Sequence, residues 1–156
     1  MKFIFNRNKV LHLVLAMFLV VSCSNHDKNI KLINDVYLSI PDQQFETLLI
    51  EMGIDSDGIV NQLMLKADAE EVRLLDLNLS NNFDEISDLT GIEGFTNLTL
   101  LSASGQEIEA IDLSLNTMLD TLYLQANNLT SIDISNNPNL ILVDIQSNEL
   151  SSIKGL

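Results

Sequence analysis

The chain has 156 residues, enough for one domain and little more, and it carries a formal net charge of −14. Such an acidic balance repels phosphate backbones, and the sequence holds neither a basic patch nor a row of stacking aromatics to offset it. Composition therefore argues against a nucleic acid partner and against direct contact between the protein surface and anionic lipids. The high charge also favours a monomer.

The N-terminus has the organisation of an export signal. Lys2, Arg7 and Lys9 form a basic n-region, and residues 10–21, which are apolar except for His12, follow it. A helix of that length spans about 18 Å, against about 30 Å for the hydrocarbon core of a bilayer. The pattern therefore predicts a cleaved signal peptide and not a transmembrane helix.

Cys23 is the single cysteine and directly follows the predicted signal peptide, residues 1–22. The run Val20-Val21-Ser22-Cys23 resembles the lipobox of bacterial lipoproteins, and the resemblance implies cleavage before Cys23 and palmitate-type lipidation of its thiol. More than one acyl chain is what stable anchoring requires. The alternative is an ordinary secretory signal with an incidental cysteine. Cleavage would leave five basic residues against 22 acidic ones, a net charge of −17.

Two segments separate Cys23 from the regular pattern further on. Residues 23–37 are polar and without helical or strand period, which predicts a flexible tether. Residues 38–71 are predicted to form a helical N-terminal capping segment. Its first helix opens at Pro41-Asp42 and ends at Gly53, and a second covers residues 67–72. The first helix is marked by an apolar stripe with helical spacing, formed by Phe45, Leu48, Leu49 and Met52.

Residues 72–156 contain internal repeats, about three full turns and a partial last one. Apolar or amide residues recur every 21 positions in six columns. The columns are Leu98/Leu119/Leu140, Leu101/Leu122/Val143, Ala103/Leu124/Ile145, Gln106/Asn127/Asn148, Ile108/Leu129/Leu150 and Ile111/Ile132/Ile153.

Each turn reads L-x-x-L-x-L-x-x-N-x-L and resembles the leucine-rich repeat. The resemblance implies an α/β solenoid in which the L-x-L segments of successive turns pair into a short parallel sheet on the concave side. A turn of 21 residues leaves no room for a full α-helix, so the convex side is predicted to be extended or 3₁₀-like. The amides of Gln106, Asn127 and Asn148 are predicted to form a structural ladder that bonds the backbone of the bends.

The resemblance extends over residues 38–156. The segments Leu38-Ser-Ile-Pro-Asp-Gln-Gln-Phe45, Gly53-Ile-Asp-Ser-Asp-Gly58 and Ile86-Ser-Asp-Leu-Thr-Gly-Ile92 look like the opening of bacterial internalin-like leucine-rich-repeat proteins. Known members are secreted or surface-attached binding proteins, often with further domains. No C-terminal cap is visible, so the last apolar edge is expected to be exposed unless the chain is part of a longer protein.

The concave face is the predicted ligand-binding site, with Tyr123 as the best single anchor. The alternative is that its leucines only add strand propensity and cross-strand packing. The predicted contact residues are Leu74, Asp76, Leu100, Ser102, Thr121, Tyr123, Gln125, Leu142, Asp144 and Gln146.

The sequence gives weaker evidence for metal binding and for catalysis. Asp55 and Asp57 invite a calcium-loop interpretation, but the acidic residue at the last loop position is missing, which favours a simple turn. Asp112 and Asp133 are expected to stack on the convex side as a solvated ladder. No catalytic motif is present, and the only histidine after the signal peptide is His26 in the tether. We therefore expect no enzyme activity, no metal and no cofactor.

These patterns predict a monomeric, lipid-anchored binding protein of the cell envelope, held at the outer membrane and facing either the periplasm or the outside. Its contact with the membrane would run through the lipid alone, and its ligand would be a protein or peptide. The alternative is that the chain is the N-terminal anchor of a larger multidomain surface protein.

Overall fold

The computed structural model describes residues 34–78 and 85–155. The chain divides into two units, Met1–Asp35 and Val36–Leu156, so nearly all described residues belong to the second. The predicted signal peptide, Cys23 and most of the predicted tether lie outside the described residues. Regular structure begins earlier in the chain than predicted. Residues 34–36, near the end of the predicted tether, are helical. The first strand starts at Tyr37, one position before the predicted capping segment.

The second unit contains short strands and two short helices. In chain order these are β1 (Tyr37–Ser39), α1 (Gln43–Glu51), β2 (Leu63–Leu65), α2 (Lys66–Glu70), β3 (Leu74–Asp76), a 3₁₀ turn (Ile92–Gly94), β4 (Leu100–Ser102), β5 (Thr121–Tyr123), β6 (Ser131–Asp133), β7 (Leu142–Asp144) and β8 (Ser152–Lys154). β1 and β2 pair antiparallel, β3-β4-β5-β7 form a four-stranded parallel sheet, and β6 pairs parallel with β8.

Helix α1 confirms the prediction from its apolar stripe. Asp42 caps it, since one carboxylate oxygen, Oδ1, accepts hydrogen bonds from the backbone N–H groups of Gln44 at 2.9 Å and Phe45 at 3.0 Å. Phe45 is fully buried, and its ring lies 6.4 Å from that of Phe95 in the first repeat. Gly53 follows the helix with a φ of +72°, the left-handed stop that the sequence predicts.

Helix α2 is shorter than predicted and begins one residue earlier, at Lys66. The helix does not extend to the expected end at residue 72, because the following residue, Arg73, already forms hydrogen bonds with the next turn of the repeat array. The carbonyl of Arg73 accepts hydrogen bonds from the N–H groups of Thr99 at 2.8 Å and Leu100 at 3.1 Å. The chain must therefore be extended before β3 starts.

The four-stranded sheet places equivalent positions of successive turns side by side. Leu75, Leu101, Leu122 and Val143 are mutual partners at the middle of the four strands. The first three are fully buried, as the alternating L-x-L pattern predicts for side chains on the core side. The 21-residue period therefore corresponds to one strand added to the sheet.

The return segments of the turns contain no α-helix within the described residues. The 3₁₀ turn occupies this part of one turn, and β6 and β8 occupy it in the last two. This agrees with the predicted extended or 3₁₀-like return, and the whole arrangement is consistent with a leucine-rich-repeat fold.

Burial is uneven along the array. Leu129 and Ile132 are at most 3% exposed, whereas Ile153, one turn after Ile132, is 42% exposed. Ile141, directly before β7, is 87% exposed. The core is therefore closed towards the capping segment and open towards β7 and β8.

Candidate functional site on the outer sheet face

The side of the four-stranded sheet turned away from the core carries two rows of side chains, which we call the outer sheet face. One row is Leu74, Leu100, Thr121 and Leu142, and the other is Asp76, Ser102, Tyr123 and Asp144. Each row takes one residue from every strand, so neighbouring members are separated by the strand spacing of about 4.8 Å. All eight residues were predicted to line a binding face, and the structure brings them together.

The first row is mainly apolar and reaches solvent at both ends. Leu74 is 67% exposed and Leu142 is 41% exposed, while Leu100 and Thr121 between them are half-buried. Leu100, a predicted contact residue, is less accessible than Leu74 and Leu142 because paired strands lie on both sides of it. Two exposed leucines about 14 Å apart still form an apolar strip on this face.

The second row has a carboxylate at each end. One oxygen of Asp76 accepts a hydrogen bond from the N–H of Asn78 at 3.0 Å, and one oxygen of Asp144 accepts the equivalent bond from Gln146 at 3.2 Å. The second oxygen of each carboxylate has no hydrogen bond or ion pair to another described residue. Tyr123 lies half-buried between them. Charge at the ends and an aromatic ring near the middle are features of a recognition surface.

Ser102 does not belong to the accessible surface, contrary to the prediction. It is only 7% exposed, and its hydroxyl oxygen accepts a hydrogen bond from the side-chain amide of Asn78. The amide oxygen of Asn78 in turn accepts from the N–H of Ser104 at 2.6 Å. Asn78 therefore covers this part of the face. The two predicted glutamines differ as well, since Gln146 is exposed and Gln125 is half-buried with a buried side-chain oxygen.

The amide ladder lies next to this face and supports it. The side chain of Asn127 donates to the carbonyls of Ala103 at 2.7 Å and Leu124 at 3.0 Å, and its oxygen accepts from the N–H of Ile108 at 3.1 Å. It therefore satisfies two backbone groups of the preceding turn and one of its own.

The same pattern repeats on either side of Asn127. Gln106 reaches the carbonyl of Leu77 and the N–H of Ile86, and Asn148 reaches the carbonyl of Leu124 and the N–H of Leu129. The residue before each amide is left-handed, with φ values of +69° at Gly105, +56° at Ala126 and +56° at Ser147. A left-handed conformation disfavours residues other than glycine by about 1 kcal/mol or more, which the hydrogen bonds of the amides offset.

A second pair of amides, Asn116 and Asn137, is also separated by the 21-residue period. Asn116 donates to the carbonyls of Ile92 at 2.8 Å and Phe95 at 3.0 Å, and Asn137 donates to those of Leu113 and Asn116, both at 2.9 Å. Both side chains are buried. They join the return segments of successive turns as the first ladder joins the strands.

Several carboxylates lie in the loop between α1 and β2 or contact it from α1. Glu46 is fully buried, and one of its oxygens accepts from the N–H groups of Asn61 at 2.9 Å and Leu63 at 3.2 Å. Asp55 is 3% exposed and has one buried oxygen without a partner among the described residues. Burial raises the pKa of Asp55 to about 6, and the nearby carboxylate of Asp57 acts in the same direction.

The carboxylate of Asp57 closes this loop as a turn. Its oxygens accept from the N–H of Ile59 at 2.7 Å and from the side chain of Asn61 at 2.9 Å. In the part of the chain that the structure describes, no group of three or more His, Cys, Asp or Glu residues is arranged to hold a metal ion. The geometry favours the turn interpretation of this motif.

Asp112 and Asp133 form the exposed carboxylate pair that the repeat spacing predicts. Hydrogen bonds from Ser114 lower the pKa of Asp112, and those from Ser135 lower the pKa of Asp133. Lys154 lies 3.5 Å from Asp133 in the partner strand. Both carboxylates are therefore charged acceptors that close turns, a state unsuited to a shared acid–base pair.

Cys23, the predicted lipidation site, lies outside the described residues. Among the residues that are described, no helix has the length and apolar character needed to cross a bilayer.

Comparisons with known proteins point to one kind of fold. No protein-family model and no curated protein sequence matches the chain. Among solved structures, the chain is similar to the functional domain of InlJ from Listeria monocytogenes, a domain described as including a cysteine ladder, with 28% identity and a TM-score of 0.60 over 73% of this chain and 25% of that chain. It is also similar to the internalin inlF from Listeria monocytogenes str. 4b F2365, with 22% identity and a TM-score of 0.59 over 78% of this chain and 37% of that chain.

These neighbours, the parallel sheet and the repeat spacing together support an internalin-like leucine-rich-repeat fold. The chain spans about a quarter of the first neighbour and just over a third of the second. With one cysteine, Cys23, the chain cannot form a cysteine ladder of its own. A fold of this kind is consistent with a binding protein.

Proposed function

We propose that this chain is a lipid-anchored binding protein of the cell envelope, a leucine-rich-repeat solenoid that recognises a protein or peptide on its outer sheet face. One observation carries the proposal: two exposed leucines, Leu74 and Leu142, and the half-buried Tyr123 share one face of a sheet whose other face is core. Apolar and aromatic side chains on an otherwise acidic surface are typical of an interface. The likeness to internalins supports a binding role.

The binding test uses a random heptapeptide phage library panned on the purified chain. We expect enriched peptides to lose affinity for the double variant Leu74→Ser/Tyr123→Ala, because both changes remove apolar contact area from the outer sheet face. Leu115→Ser/Met118→Ser is the matched control, since Leu115 and Met118 are also exposed, at 55% and 43%, but lie outside the sheet.

Two outcomes would count against the face. Peptides that bind both double variants as well as the natural chain would place recognition elsewhere, and so would peptides lost only in the control variant. Circular dichroism melts of the three proteins show whether a loss of binding reflects a loss of folding.

The anchor is the other half of the proposal, and it rests on the resemblance of the segment ending at Cys23 to a lipobox. Metabolic labelling of cells with radioactive palmitate is expected to label the natural chain and not Cys23→Ser. Equal labelling of both proteins would contradict lipidation at this thiol. Protease treatment of intact cells then distinguishes a surface-facing chain, which is cleaved, from a periplasmic one, which is protected.

A second candidate function is the N-terminal anchor of a larger surface protein. It is favoured by the exposure of Ile141 and Ile153 at the open end of the array, at 87% and 42%, where one more turn in the same register would cover apolar surface. An in-frame continuation of the coding sequence with further repeats would support it. A stop codon directly after Leu156 would contradict it.

A further inference from the structure

The outer sheet face also carries charged residues, besides Leu74, Leu142 and Tyr123, on which the proposed function rests. Asp76 and Asp144 stand at the two ends of the second row, each with one oxygen free of hydrogen bonds to other described residues. In residues 34–78 and 85–155 the basic side chains are those of Lys66, Arg73 and Lys154, and none of them belongs to either row. The face is therefore apolar along one edge and anionic at both ends of the other.

The distance between the two carboxylates follows from the sheet. They are separated by three strand spacings of about 4.8 Å, or about 14 Å between backbones. An extended peptide advances about 3.4 Å per residue, so positions i and i+4 are also about 14 Å apart and point to the same side. A peptide lying across the four strands would place its side chains i, i+2 and i+4 over the second row and i+1 and i+3 over the first.

We propose that the ligand of the outer sheet face is an extended segment with two basic side chains at positions i and i+4 and apolar side chains at i+1 and i+3. The basic side chains pair with Asp76 and Asp144, and the apolar side chains pack on the row that contains Leu74, Leu100 and Leu142. The small or polar residue at i+2 lies beside Tyr123. This inference rests on the proposed function, because it names the partner of the same face.

The free carboxylate oxygens explain why a basic ligand is favoured over a neutral one. Each carboxylate already uses one oxygen to close a turn, so its side chain is held in place before the ligand arrives. A fixed acceptor loses less conformational entropy on pairing than a mobile one. A neutral segment would cover both carboxylates without giving them a partner, and desolvating an unpaired charge is unfavourable.

The test measures binding of fluorescein-labelled peptides to the purified chain by fluorescence anisotropy. The probe is the peptide Gly-Lys-Leu-Ser-Leu-Lys-Gly, and two comparison peptides carry Glu in place of both Lys, or the same composition with the two Lys adjacent. We expect the probe to bind most tightly, and its Kd to rise about fivefold to tenfold in Asp76→Asn/Asp144→Asn, the effect of losing two exposed ion pairs.

The chain offers a closely matched control variant, Asp112→Asn/Asp133→Asn. It removes the same number of charges from carboxylates that close the same kind of turn, but outside the four-stranded sheet. Asparagine keeps the turn acceptor in all four positions. We expect the probe's Kd to change less than about twofold in this control, since long-range attraction to net charge is screened by salt.

Three results would overturn the inference: equal binding of the probe and the adjacent-lysine peptide, an equal loss of affinity in the two asparagine variants, or no binding of the probe at all. None of these results contradicts the proposed function if the affinity of the library peptides still depends on Leu74 and Tyr123. The outer sheet face would then bind ligands of a different chemistry. Loss of that dependence would instead remove the proposed function itself.

Discussion

Asp55 keeps its carboxyl group almost entirely out of water, among other acidic groups and without a basic partner in the described residues. The acidic side chains that face it come from each element around it, Glu46 from α1, Asp68 from α2 and Asp57 from its own loop. All of them disfavour its charged form. Ionisation of this one residue therefore acts against the folded capping segment.

The sign of its contribution to stability follows from the raised pKa. Because the pKa of Asp55 is about 6 in the folded chain, against 3.8 for an unperturbed aspartate, the folded state binds a proton more tightly than the unfolded state. The stabilising contribution is complete below about pH 4 and is lost as the pH rises to about 6. At pH 7 the charged residue destabilises the fold.

We therefore predict that Asp55→Asn stabilises the chain at pH 7, by about 1 to 3 kcal/mol, and has little effect at pH 4. Urea denaturation at both values of pH measures the difference. Asp57→Asn is a useful comparison, since Asp57 is more exposed and its carboxylate serves as a turn acceptor. A loss of stability for Asp55→Asn at pH 7 would contradict the assignment.

The two carboxylate oxygens of Asp42 differ in how far the sequence could predict their hydrogen bonds. The sequence pattern places Asp42 in the first turn of the first helix, and the structure makes it the N-cap of α1, through one oxygen. Its other oxygen accepts hydrogen bonds from Ser87 and Asp88, about 45 positions further on, which no local pattern could indicate. Partial burial raises the pKa of Asp42, but the hydrogen bonds from Phe45, Ser87 and Asp88 together outweigh it and lower that pKa. This one side chain therefore links the capping segment to the first repeat, in addition to the packing of Phe45 on Phe95.

Turns of the array are joined by amides, and the outermost amide differs from those inside. Asn127 is 5% exposed and bonds only groups that are themselves enclosed by neighbouring turns. Asn148 makes the same bonds but is partly exposed. When an enclosed amide is removed, the backbone groups it bonded cannot turn to water.

We predict that Asn127→Ala lowers the free energy of unfolding by about 2 to 4 kcal/mol, since it leaves three enclosed backbone groups without partners. Asn148→Ala is the matched control, and we expect about half that loss because solvent reaches its partners. Guanidinium denaturation followed by circular dichroism measures both. Equal losses would mean that burial does not decide the contribution of a ladder amide.

The repeat spacing was enough to predict the strands and their register, because one period of 21 residues adds one strand. It also predicted which strand residues point away from the core, since side chains alternate. It could not predict that Ser102 is covered, because the covering side chain, Asn78, comes from the previous turn. Nor could it predict the left-handed Ala126 and Ser147, as neither residue type indicates that conformation.

At the scale of the whole molecule, stability should decline from the capping segment towards the open end. Leu101 and Leu122 are fully buried, whereas Val143, their partner in the last strand of the sheet, is not. In an array where each turn contacts only its neighbours, the last turn has one interface instead of two.

We predict that amide hydrogen exchange detects this gradient. Backbone amides of β4 and β5 should exchange more slowly than those of β7 and β8, by about a hundredfold or more, which corresponds to about 3 kcal/mol in opening free energy. Mass spectrometry of peptic fragments measures the rates. Uniform protection from β4 to β8 would show that the array opens as one unit.

The reach of the amide ladder has a consequence for how such a chain can change length. Each amide bonds the turn before it, at a fixed interval, so a tandem duplication of 21 residues inside the array would give every copied amide an equivalent backbone to bond. The outer sheet face would then widen by one strand, about 4.8 Å. A duplication placed between Asp76 and Asp144 would move their carboxylates apart by one to two residues of an extended ligand. Gain or loss of a single repeat is therefore a route by which descendants of this gene could acquire a different partner while keeping every side chain of the face.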